Sequence, residues 1–142
     1  MILVDVNLLL YAKSTVFPQH ERARSWLDES LAGPGRVGLP WPCLISFVRL
    51  VTSSRLFPGA LPVAEAWEQV EDWLDRESAW VPVPGDRHRE ILTTLVSKAK
   101  PKGDLMMDAH LAALAIEHGL IMASADRDFA RFPGLRWENP LD

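Results

Sequence analysis

Met1-Ile-Leu-Val-Asp-Val-Asn-Leu-Leu-Leu-Tyr-Ala-Lys13 decides the fold. Residues 2–5 form a short apolar run that ends on an acid, and the run reads as a buried strand. Residues 6–13 turn straight into a short helix. A buried apolar strand that passes at once into a helix belongs to a parallel sheet covered by helices on both faces.

The rest of the chain repeats that alternation. Pro18 opens a second helix, with Ala23, Trp26, Leu27 and Leu31 along one face, and Gly33-Pro34-Gly35 stops it. Residues 37–39 form a second strand. Helical spacing runs over 41–56 through Leu44, Phe47, Val48 and Val51, until Pro58 and Gly59 break it. Pro62 begins a helix with Ala66, Trp67, Val70, Trp73 and Leu74 inward, and Trp80, Val81 and Val83 suggest a third strand. Helices over 85–99 and 105–118 follow, the second closed by Gly119 as its C′ residue. Residues 120–123 are the next strand. A helical turn then carries Asp128, Phe129 and Phe132, and residues 135–137 are a last strand. Right-handed crossovers make this a single-domain, three-layer α/β/α sandwich with a central parallel sheet. Ligands of such sheets bind beyond the carboxyl ends of the strands.

Composition narrows the function. An apolar content of 48% over 142 residues supports one packed domain. The single cysteine, Cys43, allows neither an internal disulfide nor a zinc framework, which fits a reducing cytoplasm. The N-terminus lacks a basic region and its apolar run is interrupted by Asp5 and Asn7, so it is a poor signal peptide. No run approaches the ~18 apolar residues of a membrane span, so the expectation is a soluble protein. A net charge of −4 argues against a passive nucleic-acid binder more than against a nuclease that gathers carboxylates around a metal.

The carboxylates carry the chemistry. Asp5 ends the first strand, where it serves equally well as a helix N-cap or a ligand. Asp108 lies inside the helix over 105–118, on the face of Leu111, Ala112, Ala115 and Ile116. A carboxylate there needs a cation, and no Lys or Arg lies in phase within a turn. Asp104 shares the face of Asp108 one turn earlier and is foremost an N-cap, with a secondary role near a metal open. Asp126 and Asp128, in Ser124-Ala-Asp-Arg-Asp-Phe129, again follow an apolar strand, where either could cap the next turn. Three separate segments thus bring acids to one sheet edge. Such a cluster suits Mg²⁺ or Mn²⁺, hard cations that prefer oxygen. Phosphodiester hydrolysis by an activated water is the natural reaction.

Those segments carry a resemblance. Met1–Ala12, Asp108-Ala-His-Leu-Ala-Ala-Leu-Ala115 and Ser124–Phe129, with Phe47-Val-Arg-Leu-Val-Thr52 and Asn139-Pro140, make the chain similar to PIN-domain proteins, and among them to the VapC toxins of type II toxin–antitoxin pairs. The resemblance implies a PIN fold, a homodimer, and a metal-dependent endoribonuclease neutralised by a small antitoxin. It implies Asp5, Asp108 and Asp126 as catalytic metal ligands, Asp128 as a fourth, and Asn7 and Ser124 as hydrogen-bonding supports. In one respect the chain departs from the family. Ser46 stands where a glutamate is usual, and no Asp or Glu occurs between Glu29 and Glu65. Water or Asp104 would have to fill that place.

Lys98, Lys100 and Lys102 close a basic stretch that begins at Arg87 and leads to the predicted mouth. They are candidate phosphate contacts, as are Arg49 and Arg55 on a helix expected to flank the site. The four histidines form no ligand set. Transfer RNA and ribosomal RNA are both reasonable substrates for such a protein. Two other functions are weaker. A phosphatase with Asp5 as nucleophile would want a second Asp at position 7, which is Asn. A degenerate, non-catalytic PIN domain that binds RNA or protein is compatible with the missing glutamate.

Overall fold

The computed structural model describes residues 1–142. Five short strands form one sheet: β1 (Ile2–Val4), β2 (Val37–Gly38), β3 (Ala79–Trp80), β4 (Ile121–Ala123) and β5 (Trp137–Glu138). Their order is β3-β2-β1-β4-β5 and every pairing is parallel. Six α-helices alternate with them: α1 (Val6–Lys13), α2 (His20–Ala32), α3 (Trp41–Val51), α4 (Val63–Leu74), α5 (His88–Ala99) and α6 (Leu105–His118). A 3₁₀ turn at Arg127–Arg131 follows β4.

From β1 the chain steps outward to β2 and β3, then returns across the sheet to β4 on the other side of β1. Right-handed crossovers send helices to opposite faces when that direction reverses. Accordingly α1 packs on α2 and α3, and α3 on α4, while α5 packs on α6. The result is the three-layer α/β/α sandwich expected. Leu3 and Val4 of β1 are fully buried, as are Leu8, Phe47, Leu95, Leu114 and Met122 from the surrounding elements. Phe47 meets Trp73 edge to face at 4.9 Å, tying α3 to α4.

Several boundaries differ from the expectation for local physical reasons. α2 begins at His20, not Pro18, because residues 17–20 close a turn first, with the His20 N–H on the Phe17 carbonyl. α3 ends at Val51, not near 56. The Thr52 hydroxyl donates to the Val48 carbonyl at 2.7 Å, and the Ser53 carbonyl takes the N–H groups of Leu56 and Phe57 in a turn of its own. Arg55 therefore sits in that turn and not on a helix. β3 is Ala79–Trp80, and Val81 and Val83 fall outside it because Pro82 and Pro84 offer no N–H to a ladder. α5 starts at His88, later than residue 85. Glu117 on α6 first takes the N–H groups of Gly85 at 2.8 Å and Arg87 at 3.0 Å, which holds that segment as a loop. β5 lies at Trp137–Glu138, slightly beyond the expected 135–137. Trp67, expected inward, is exposed and stacks on exposed Trp41 with ring planes 6° apart and centroids 6.4 Å apart.

Candidate metal centre

The parallel register of β1 and β4 builds the site. Ile2 pairs with Ile121 and Val4 with Ala123, so Asp5 and Ser124 leave the sheet side by side. The Asp5 N–H donates to the Ala123 carbonyl at 3.0 Å, which extends the ladder to the edge. This is the crevice where the strand order reverses, the usual ligand position in such sheets.

Asp5 is buried and fully engaged. Its Oδ1 accepts the Val6 N–H at 2.8 Å, so it does cap α1. Its Oδ2 accepts the Ser124 hydroxyl at 2.7 Å and the Asn7 amide at 3.3 Å. Ser124 Oγ in turn accepts the Asn7 amide at 3.2 Å and the Asp126 N–H at 3.0 Å. One buried hydroxyl thus joins the acid after β1 to the acid after β4. Trp137 holds the same segment from the other side, its indole N–H on the Ser124 carbonyl at 3.0 Å. Burial raises the Asp5 pKa above its ordinary value, and the hydrogen bonds from Ser124 and Val6 work against that rise.

Asp108 reaches the same crevice from the first turn of α6. It is half-buried and takes part in none of the chain's ion pairs. Its pKa is pushed up to about 6, first by burial and then by the negative charges of Asp5, Asp126, Asp128 and Asp104. Carboxylate oxygens of Asp108, Asp126 and Asp128 lie within 4.8 Å of one another. Asp5 stands outside that tight trio, yet its charge is the nearest in effect on Asp108. Asp126 also caps the 3₁₀ turn through the Asp128 N–H at 2.9 Å.

The supporting residues divide. Asn7 and Ser124 are woven into the network as above. Asp104 is exposed and makes no side-chain cap, contrary to expectation. Its backbone is already in the right-handed helical region, φ −60° and ψ −27°, whereas an N-cap side chain reaches back from an extended residue. Ser46 is half-buried on α3 and its hydroxyl forms no hydrogen bond within the chain. Sequence reasoning missed Cys43, one turn before Ser46. Its buried thiol is pushed well above the ordinary cysteine range by burial, and further by the charges of Asp5 and Asp108. The i−3 spacing from Ser46 was the available signal. Lys98, Lys100, Lys102, Arg49 and Arg55 are all exposed and none is in an ion pair.

The donor set fits a hard divalent cation. Three carboxylates converge, no side-chain cation neutralises Asp108 or Asp126, and burial, with the neighbouring negative charges adding to it, raises the Asp108 pKa.

A family model described as the PIN domain matches residues 2–135. The fold and the acidic crevice therefore define a PIN-domain protein, and the chain belongs to that family. Within it the chain falls among the VapC ribonucleases. Ribonuclease VapC37 of Mycobacterium tuberculosis is 46% identical over 140 residues, 99% of this chain and 97% of its own. Ribonuclease VapC33 of the same organism is 42% identical over 141 residues, 99% of each chain. Among solved structures, VapBC-1 from nontypeable Haemophilus influenzae superposes with a TM-score of 0.72 at 14% identity across all of both chains. A toxin–antitoxin complex from Klebsiella pneumoniae gives 0.63 at 19% identity, covering 99% of this chain and 98% of the other. At such identities these structures speak for the fold.

Proposed function

We propose that the chain is the endoribonuclease toxin of a type II toxin–antitoxin pair and hydrolyses RNA phosphodiester bonds with Mg²⁺, Mn²⁺ being an adequate substitute. The observation that carries this is the cluster of Asp108, Asp126 and Asp128, whose oxygens lie within 4.8 Å and which leaves Asp108 without a cation. A bound divalent ion supplies Lewis-acid chemistry, easing water ionisation and neutralising charge on the phosphate. Asp108, Asp126 and Asp128 would hold the ion. Asp5, locked by Ser124 and Asn7, completes the negative field from behind. Lys98, Lys100 and Lys102 lie on the segment that leads into α6 and meet the RNA backbone, with Arg49 and Arg55 as outlying contacts. The named ribonuclease relatives support the substrate class. Purified protein is expected to cleave structured transfer or ribosomal RNA with Mg²⁺ and to stop when EDTA is added. An intact RNA pool with either Mg²⁺ or Mn²⁺ would leave the rival, a non-catalytic module that binds RNA or protein.

Two partners follow. The likeness to VapBC and toxin–antitoxin complexes supports a small cognate antitoxin. A homodimer has a fitting face on α3 and α4. Trp41, Ile45 and Arg49 form one stripe at four-residue spacing, and Val63, Trp67 and Glu71 form the next. The apolar members are exposed, Val63 by 66% and Ile45 by 53%. Arg49 and Glu71 flank them with opposite charges, which suits a patch that meets its own copy across a two-fold axis. Light scattering should find a dimer for the wild type and a monomer for Trp67→Asp. A monomeric wild type, or a variant that stays dimeric, would remove this interface.

A further inference from the structure

Only one acid of the trio is paired with a cation. Asp128 Oδ1 takes the Arg131 Nη2–H at 3.2 Å, and the Asp128 carbonyl takes the Arg131 Nε–H at 3.2 Å. A single guanidinium thus grips one residue at two points across one turn of the 3₁₀ segment. It is the only Arg–carboxylate ion pair in the chain, since the other two involve histidines.

We propose that Arg131 is a tethered competitor for the divalent ion: it occupies Asp128, adds a positive charge at the rim of the acidic trio, and so lowers the affinity of the centre. This inference presupposes the metal centre proposed above. The other acids offer no comparable freedom. Asp5 has a hydrogen bond on each oxygen and is buried, and Asp126 Oδ1 is committed to the Asp128 N–H. Asp108 has no partner to release. Asp128 is exposed and held only by an exposed ion pair, side chains 50% and 41% accessible. Exposed pairs of this kind are weak, so an arriving ion displaces the guanidinium at small cost. With Ser46 in place of an acid on α3, Asp128 is also the one carboxylate of the trio whose availability a small local change can alter.

The test is Mn²⁺ binding to the intact, RNA-free protein, followed by the electron paramagnetic resonance of free Mn²⁺. Arg131→Ala should bind about three- to tenfold more tightly than wild type at low ionic strength, with less gain at high salt. The same change in an Asp128→Asn background should give a markedly smaller gain, because the captured ligand is already gone. Equal or weaker binding by Arg131→Ala overturns the proposal, as does a gain undiminished by Asp128→Asn. Failure of the metal centre itself looks different: neither wild type nor Arg131→Ala would bind Mn²⁺, and both ideas would fall together. Circular dichroism on each variant confirms that it is folded, as expected for substitutions at an exposed pair.

Discussion

Asp108→Asn should lower RNA cleavage by about a thousandfold, equivalent to ~4 kcal/mol of transition-state stabilisation and in the range a lost metal interaction removes. The substitution is nearly isosteric and leaves α6 intact, so the loss comes from the missing charge. Stability should move the other way. The folded pKa of Asp108 is about 6, against an ordinary value of 3.8. A carboxylate raised in this way favours the fold most below pH ~4, and that contribution is lost as pH rises through about 6. In metal-free protein at pH 8 the ionised Asp108 is therefore a burden that Asn does not impose. Asp108→Asn should melt at or above the wild-type temperature there, and the difference should vanish near pH 4. Mg²⁺ should raise the wild-type melting temperature at pH 8 and leave the variant almost unmoved. Comparable cleavage by the two proteins, or a lower melting temperature for metal-free Asp108→Asn at pH 8, would show that Asp108 is a structural residue.

Ser124→Ala has the second largest expected effect, and it strikes stability and activity together. Ser124 is fully buried, and its one hydroxyl donates to Asp5 at 2.7 Å while accepting from Asn7 and the Asp126 backbone. Alanine keeps the Cβ and creates almost no cavity. It strips a buried carboxylate of its shortest donor, which costs about 1–3 kcal/mol. The Asp126 N–H loses its acceptor as well, so the segment after β4 is no longer tied to the acid after β1. Supporting residues of metal centres typically carry a factor of about 10–100 in activity. Urea unfolding and steady-state cleavage on the same preparation measure both. A midpoint and a kcat/KM indistinguishable from wild type would mean that the network is incidental.

The acids were legible because each follows a recognisable element. Ile2–Val4 and Ile121–Ala123 are apolar runs, and an acid just beyond such a run lands at the sheet edge whatever the tertiary detail. Asp108 stood out because its helical neighbours are apolar. What escaped was everything set by contacts distant in sequence. Cys43 reads as an ordinary core residue until α3 is laid against α1. Asp104 has the identity of an N-cap, but its own backbone is already in helical geometry, and only backbone angles reveal that. Trp67 fell on the apolar stripe of α4, and its outward stacking on Trp41 depends on how α4 crosses α3. The end of α3 turned on hydroxyl-to-carbonyl bonds at Thr52, a competition that hydrophobic spacing does not register.

The pairing of β1 with β4 has a consequence in time. β1 is made well before its partner, because the strand that positions Asp5 against Ser124 is Ile121–Ala123, more than a hundred residues further along. At typical synthesis rates of ~5–20 residues per second, the growing polypeptide spends several seconds with Asp5 made and Asp126 and Asp128 still absent. No partial product contains the crevice. The acids that share the crevice therefore come together only after β4 has joined β1, and a chain halted before residue 121 cannot assemble them.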